Sequence, residues 1–199
     1  MKNRYFLMRH GESEANVADL IVGDPTVGCS AYGLTPRGQQ QAQDSAAHSG
    51  LPGETLIFCS DFLRARQTAQ IASRVLGCGQ PVLEPRLRER FFGTLEGTSA
   101  SNYARVWSQD ELDPEASHLG AEPAGQVAQR LGQHLSELEA GYQDQCILLV
   151  SHGDSLRFLQ LWAAGRPLNE HQSVRHFSQA EIRALGDIPP AAAGLSGHA

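Results

Sequence analysis

Two histidine–glycine pairs carry the most visible chemistry in this chain. Arg9-His10-Gly11 follows the apolar run Tyr5-Phe6-Leu7-Met8, and Ser151-His152-Gly153 follows Cys146-Ile147-Leu148-Leu149-Val150. Runs of this length and composition read as strands, and each glycine reads as the turn out of one. Both histidines then fall at the carboxyl ends of strands, where open α/β sheets place their ligands. Neighbouring strands would bring two imidazoles together at one sheet edge, with the Arg9 guanidinium beside them. Arg64 joins them from the first turn of a helix that follows the strand at 55–60, close to backbone amides that favour anions. A lone His-Gly is usually just a turn. Two of them, each closing a strand and each near arginine, form a hypothesis.

The remaining elements follow from punctuation and period. Thr35-Pro36 opens a helix, with threonine at the N-cap and proline at the first helical position, and it stops near Gly50. The set Leu63, Ile71, Val75 and Leu76 faces one side of a helix running to Gly77. A short strand is expected at 81–84. Val127, Leu131, Leu135 and Leu138 mark an amphipathic helix ending at Gly141, and a helix over 154–164 follows the second His-Gly. The stretch 180–185 alternates as an edge strand would. Residues 23–33 are glycine-rich and read as a surface loop shaping access to a site, and Tyr103, Val106 and Trp107 predict a helical piece over the core within 98–120. Strands alternating with helices imply an α/β fold, a three-layer α/β/α domain with a mostly parallel central sheet flanked by helices. One domain is expected over 1–185, with the Pro-, Ala- and Gly-rich stretch 186–199 as a flexible tail.

Composition narrows the partners. The chain has 199 residues and a net charge of −6, which argues against a nucleic-acid or anionic-membrane surface. Lys2 is the only lysine among 16 basic residues, so any anion site must use guanidinium groups, which grip phosphate or carboxylate oxygens bidentately. The body of the fold therefore has no lysine for a Walker-type loop or a Schiff base. Cys29, Cys59, Cys78 and Cys146 show no C-x-x-C spacing and read as free thiols of a reducing compartment. Without a leader or a long apolar stretch, the expected location is the cytoplasm. His48, His118, His134, His171, His176 and His198 lack ligand spacing and read as surface or capping residues. No HExxH and no G-x-S-x-G occurs, so neither a metal site nor a serine hydrolase is expected, and no cofactor is implied. Oligomeric state leaves no mark in the sequence.

Five ordered blocks carry a resemblance. Arg9-His10-Gly11-Glu12-Ser13 with Asn16 resembles the opening signature of the histidine phosphatase superfamily, the phosphoglycerate mutase-like fold. Leu34-Thr35-Pro36-Arg37-Gly38 resembles its second block, and Ser60-Asp61-Phe62-Leu63-Arg64-Ala65-Arg66 its third. Leu87-Arg88-Glu89 with Phe92-Gly93 and Glu96-Gly97 is similar to the acid-bearing segment, and Val150-Ser151-His152-Gly153 to the last block. The match spans strand one to about Leu185.

That resemblance implies a small phosphorylated substrate and metal-free phosphoryl transfer. It assigns the nucleophile to His10, whose neutral imidazole would form a phosphohistidine that water later attacks. Arg9, Arg64 and His152 would keep His10 neutral by like-charge repulsion. With Asn16 and the Gly153 amide, they would also hold the phosphate. Glu89 is the implied proton donor to the leaving alkoxide. Read without the resemblance, Glu89 is the middle of a surface Arg-Glu-Arg ion-pair run, and Glu12, two residues from His10, competes for the acid role. Mutases of the family carry a lysine and an arginine pair in their middle segment that this chain lacks, which favours hydrolysis. Glu122-Pro123 stands where the family often has Glu-Ser. A phosphoglycerate mutase is the second reading, and a phosphate-recognising module with little turnover the third.

Overall fold

Every residue of Cys146–Ser151 is buried, as expected of a strand covered on both faces. It is the centre of the fold. The computed structural model describes residues 1–189. In chain order the elements are β1 (Arg4–Arg9), α1 (Glu14–Val17), α2 (Pro25–Gly28), α3 (Pro36–His48), β2 (Leu56–Cys59), α4 (Leu63–Leu76), β3 (Val82–Leu83), α5 (Tyr103–Asp110), α6 (Ala124–Gly141), β4 (Cys146–Ser151), α7 (Gly153–Ala163) and β5 (Ile182–Ala184). Among the described residues the strands form one sheet in the order β3-β2-β4-β1-β5. β1, β2, β3 and β4 run parallel to one another, and β5 closes the edge antiparallel to β1.

The period-2 geometry of a strand sends alternate side chains to opposite faces. Tyr5, Leu7, Ile147 and Leu149 pack on one side with Val127, Leu131 and Leu135 of α6 and Leu156 and Leu159 of α7. Met8, Ile57, Cys59, Leu148 and Val150 pack on the other with alanines 42, 46, 69 and 72 of α3 and α4. These are the three layers. Small residues on α3 and α4 let those helices lie close to the sheet and to each other. Thr35 caps α3 through its side chain, which accepts from the Gly38 amide, with Pro36 behind it.

A smaller third core lies apart from the sheet. Ile21, Phe92, Leu95, Val106 and Ala121 cluster there, with Tyr103 and Leu119 against them. The helical piece expected over the main core is thus α5, and it roofs a satellite core that joins the 20–24 loop to the acid-bearing segment. Beneath it, Arg90 and Asp110 form a bidentate pair at 2.5 and 2.8 Å with almost no exposure. Asp110→Ala would strand the guanidinium in the interior, and a loss of about 3–5 kcal/mol is expected, read from the urea unfolding midpoint.

The bland reading of the histidines needs correction. His134 and His171 are buried, not surface residues. His134 falls on the buried stripe of α6 between Leu131 and Leu138 and packs edge-on to Phe58. His171 lies against Phe158, and His176 lies against Trp107 while taking a hydrogen bond from Arg157. Burial first, then the Arg157 charge, pushes His171 down to about 3 and His176 to about 4, so both stay neutral. A single histidine gives no periodic signal of its own. At the chain end, Gly186 to Pro189 are bound back: Gln160 donates to the Asp187 carbonyl and the Arg175 amide to the Pro189 carbonyl. Residues 190–199 and His198, the rest of the expected tail, lie outside the described residues.

Candidate active site

Parallel pairing of β1 with β4 places Arg9 opposite Ser151, so both chains leave the sheet at the same level. The His10 amide then donates to the Ser151 carbonyl, and the two imidazoles meet edge to face at 5.2 Å between centroids. Both are buried, with His10 4% exposed and His152 0%. Thr68 of α4 steadies this edge. Its hydroxyl donates to the Arg64 carbonyl and accepts from the Gly11 amide, tying the turn after His10 to α4.

Arg64 lies between the imidazoles. Its Nε donates to His10 Nε2 at 3.1 Å, and its Nη2 donates to His152 Nδ1 at 3.0 Å and to the Val22 carbonyl at 2.9 Å. A guanidinium only donates. The two nitrogens it reaches must therefore carry lone pairs, which fixes both tautomers. His10 keeps its proton on Nδ1 and gives it to the Gly11 carbonyl at 2.7 Å. His152 keeps its proton on Nε2, 2.9 Å from Ser60 Oγ. His10 Nε2 is the unprotonated nitrogen, and its lone pair accepts from Arg64.

Burial is the leading cause that holds His10 far below the ordinary imidazole range, followed by the charges of Arg64 and Arg9. The sequence pointed only to charge repulsion; burial comes first, Arg64 and Arg9 follow, and burial also holds His152 well below the ordinary range. Two guanidinium nitrogens, Arg9 Nε and Arg64 Nη1, are buried without a hydrogen-bond partner. Such donors are costly unless something anionic takes them up. Arg9 is held by a hydrogen bond from Nη1 to the Phe177 carbonyl and lies 3.8 Å from where a Cβ on Gly153 would stand. Gly153 opens α7, so the helix N-terminus faces the same spot.

Glu89 is no member of a surface run. Arg88 pairs with Asp61 and Arg90 with Asp110, leaving Glu89 between them free of both. Glu89 Oε1 accepts from its neighbour's amide, from the Ser155 amide and from Ser155 Oγ, all on one oxygen. Burial raises its pKa, and the Asp154 carboxylate raises it further against the pull of Arg64 and Arg9. A carboxyl group with one oxygen held and its acid form favoured is suited to donating a proton from the other. Glu12 is committed elsewhere, to the Thr35 hydroxyl at 2.7 Å and to Arg37. Asn16 closes the capping box of α1: its Oδ1 accepts from the Ser13 amide and hydroxyl, leaving Nδ2 as its remaining donor. Glu122 pairs with Arg130, which also donates to the Arg88 and Glu89 carbonyls.

Several participants were not legible in advance. Ser60, Thr68, Ser155, Asp154 and the Val22 carbonyl all orient the central groups. Trp107 Nε1 donates to Asp154 at 2.7 Å, and Trp107 stacks on Tyr103 with rings 7° apart. For Ser155 a signal existed, since it lies one helical turn into α7 from His152. For Val22, a backbone acceptor, none did.

Comparison with known proteins identifies the family and the fold. The profile of the histidine phosphatase superfamily (branch 1) matches residues 5–186. A protein of Erwinia tasmaniensis named "Probable phosphoglycerate mutase GpmB" is 34% identical over 177 residues, covering 85% of this chain and 79% of the relative. A mycobacterial glucosyl-3-phosphoglycerate phosphatase solved with VO3 superposes with a TM-score of 0.77 at 23% identity, covering 95% of this chain and 99% of that one. A phosphoserine phosphatase from Entamoeba histolytica, solved with 3-phosphoglyceric acid, gives 0.71 at 24% identity over 90% and 88% of the two chains.

Proposed function

Because the chain belongs to the histidine phosphatase superfamily, we propose that it hydrolyses a phosphate monoester through a phosphohistidine on His10, with Glu89 as general acid and then base. The observation that carries this reading is the fixed tautomer of His10. Its Nδ1 proton is tied to Gly11, and its Nε2 lone pair points at the guanidinium that would bind the oxygens of the incoming phosphoryl group. A phosphate dianion is a far stronger acceptor than a neutral imidazole, so arriving substrate takes over the Arg64 donors and releases Nε2 for attack. Arg9, Arg64, His152, Asn16 and the Gly153 amide then surround the equatorial oxygens. Nε2 attacks phosphorus, the bond to the ester oxygen breaks, and Glu89 protonates the departing alkoxide. Water next attacks the phosphohistidine while Glu89 takes its proton, and inorganic phosphate leaves.

A mutase reading is favoured by the names of the relatives at 31–34% identity. Phosphoglycerate carries a carboxylate, which calls for cations beyond those around His10. Among the described residues, arginines 86, 88, 90, 130, 157, 166, 175 and 183 are each paired with a carboxylate of this chain. Arg37 pairs with Glu12, Arg4, Arg74 and Arg105 are exposed, and Arg66 is half-buried on the helix that carries Arg64. With most arginines committed to pairs, we take hydrolysis of a monoester as the first reading. The test is a metabolite panel and 4-nitrophenyl phosphate, assayed for phosphate release beside interconversion of 2- and 3-phosphoglycerate primed with bisphosphoglycerate. Release without interconversion is expected. Interconversion faster than release would replace the phosphatase with the mutase.

A further inference from the structure

We propose that Glu96 is a positioning residue that aims Arg64 through a single peptide unit. The Val22–Gly23 peptide has its carbonyl bound by Arg64 Nη2 at 2.9 Å and its amide bound by Glu96 Oε2 at 2.8 Å. The same Glu96 oxygen accepts from Asp24 N at 3.1 Å, and Oε1 accepts from Phe92 N at 2.8 Å. One carboxylate thus staples the 22–24 loop to the acid-bearing segment. Hydrogen bonds in series polarise one another, so a carboxylate on the N–H strengthens the carbonyl at the other end as an acceptor for the guanidinium. Gly23 makes the approach possible. A Cβ there would stand 2.0 Å from the Arg90 carbonyl and 2.7 Å from Glu96 Oε1.

The consequence lies in how the guanidinium is held. Arg64 Nε and the second Nη2 proton contact His10 and His152, the contacts that substrate takes over in the function proposed above, on which this inference rests. The Val22 carbonyl is the contact that persists. It is the pivot that keeps the guanidinium in plane with the phosphoryl group while its other partners change, and Glu96 fixes the pivot. Its negative charge also favours the charged state of Arg64.

The test is Glu96→Gln, whose amide keeps one accepting oxygen and puts a donor in place of the other. A loss of about tenfold to a hundredfold in kcat/KM is expected, the scale of a misplacement by about 1 Å. Because the effect passes through Arg64, adding Glu96→Gln to Arg64→Ala should change the rate by no more than about twofold, whereas independent effects would multiply. A readout without turnover keeps this separate from the functional assignment. The Arg64 Nε–H resonance, identified by its loss in Arg64→Lys, should shift or broaden in Glu96→Gln, and inorganic phosphate should bind at least about tenfold more weakly. Should Glu96→Gln fail to fold, hydrogen exchange at the wild-type Gly23 amide is measured instead, and saturating inorganic phosphate should slow it. Multiplicative losses, an unmoved Arg64 resonance with unchanged phosphate affinity, or an exchange rate indifferent to phosphate would each overturn the proposal. A wild type that hydrolyses nothing, with the Arg64 resonance still shifted in Glu96→Gln, would sink the phosphatase reading and leave this one standing.

Discussion

His10→Ala is expected to abolish phosphate release, by about 10⁴-fold or more, the scale on which removing a nucleophile acts. No acid-labile phosphoenzyme should form when the variant is quenched during turnover. The fold should survive, because the alanine leaves β1 and its pairing with β4 intact, and circular dichroism checks this. Arg9 and Arg64 remain, so inorganic phosphate should still bind and still inhibit. Loss of turnover with binding retained separates a nucleophile from a phosphate contact. Wild-type turnover in the variant would show that another group attacks phosphorus.

Glu89→Gln carries the second large effect. A fall of about 10²–10⁴-fold is expected for substrates that leave as alkoxides, the usual range for a lost general acid. The fall should be smaller for 4-nitrophenyl phosphate, whose leaving group needs little protonation. The pH dependence has a definite sign. His10 is held well below the ordinary imidazole range, so it remains neutral and nucleophilic in acid, and activity falls only at low pH as it protonates. Glu89 is raised, so it keeps its proton above the usual carboxylate range, and activity falls on the alkaline side as that proton is lost. The profile of kcat/KM is therefore bell-shaped with an acidic optimum, and Glu89→Gln should erase the descending limb. Asp154→Asn should move that limb to lower pH, because after burial the Asp154 charge is the largest influence holding Glu89 protonated. A limb that stays in place in both variants would assign it to some other group.

The satellite core explains why these effects are coupled to a loop far away in sequence. Ile21 and Phe92 pack together there, so the 20–24 loop and the acid-bearing segment share one core. Trp107 pins α5 to Asp154, and Arg130 binds the Arg88 and Glu89 carbonyls. Glu89 is thus held from three sides, and the Arg64 guanidinium from a fourth. Rigid support of this kind is what a phosphoryl-transfer site needs, since most of its catalysis is positioning and charge.

By itself the sequence determined the layers and the meeting of the two histidines. Apolar runs with helical stretches between them allow little besides a parallel sheet, and strands that both end in His-Gly place both imidazoles at one edge once they pair. Arg64 was legible for the same reason, as the first turn of a helix that starts where a neighbouring strand ends. Tertiary structure alone decided the rest. The His10 tautomer depends on the Gly11 carbonyl and Arg64, the release of Glu89 from an ion-pair run on Arg88 and Arg90 turning away to Asp61 and Asp110, and the aim of Arg64 on a backbone carbonyl at Val22. Buried His134 and His171 belong to the same class. In each case the partner lies outside the local window that periodicity and turn chemistry can read. A hydrogen bond to a backbone group leaves no residue type behind to be recognised, and charge pairing is settled by which arginine reaches which carboxylate once the chain has folded.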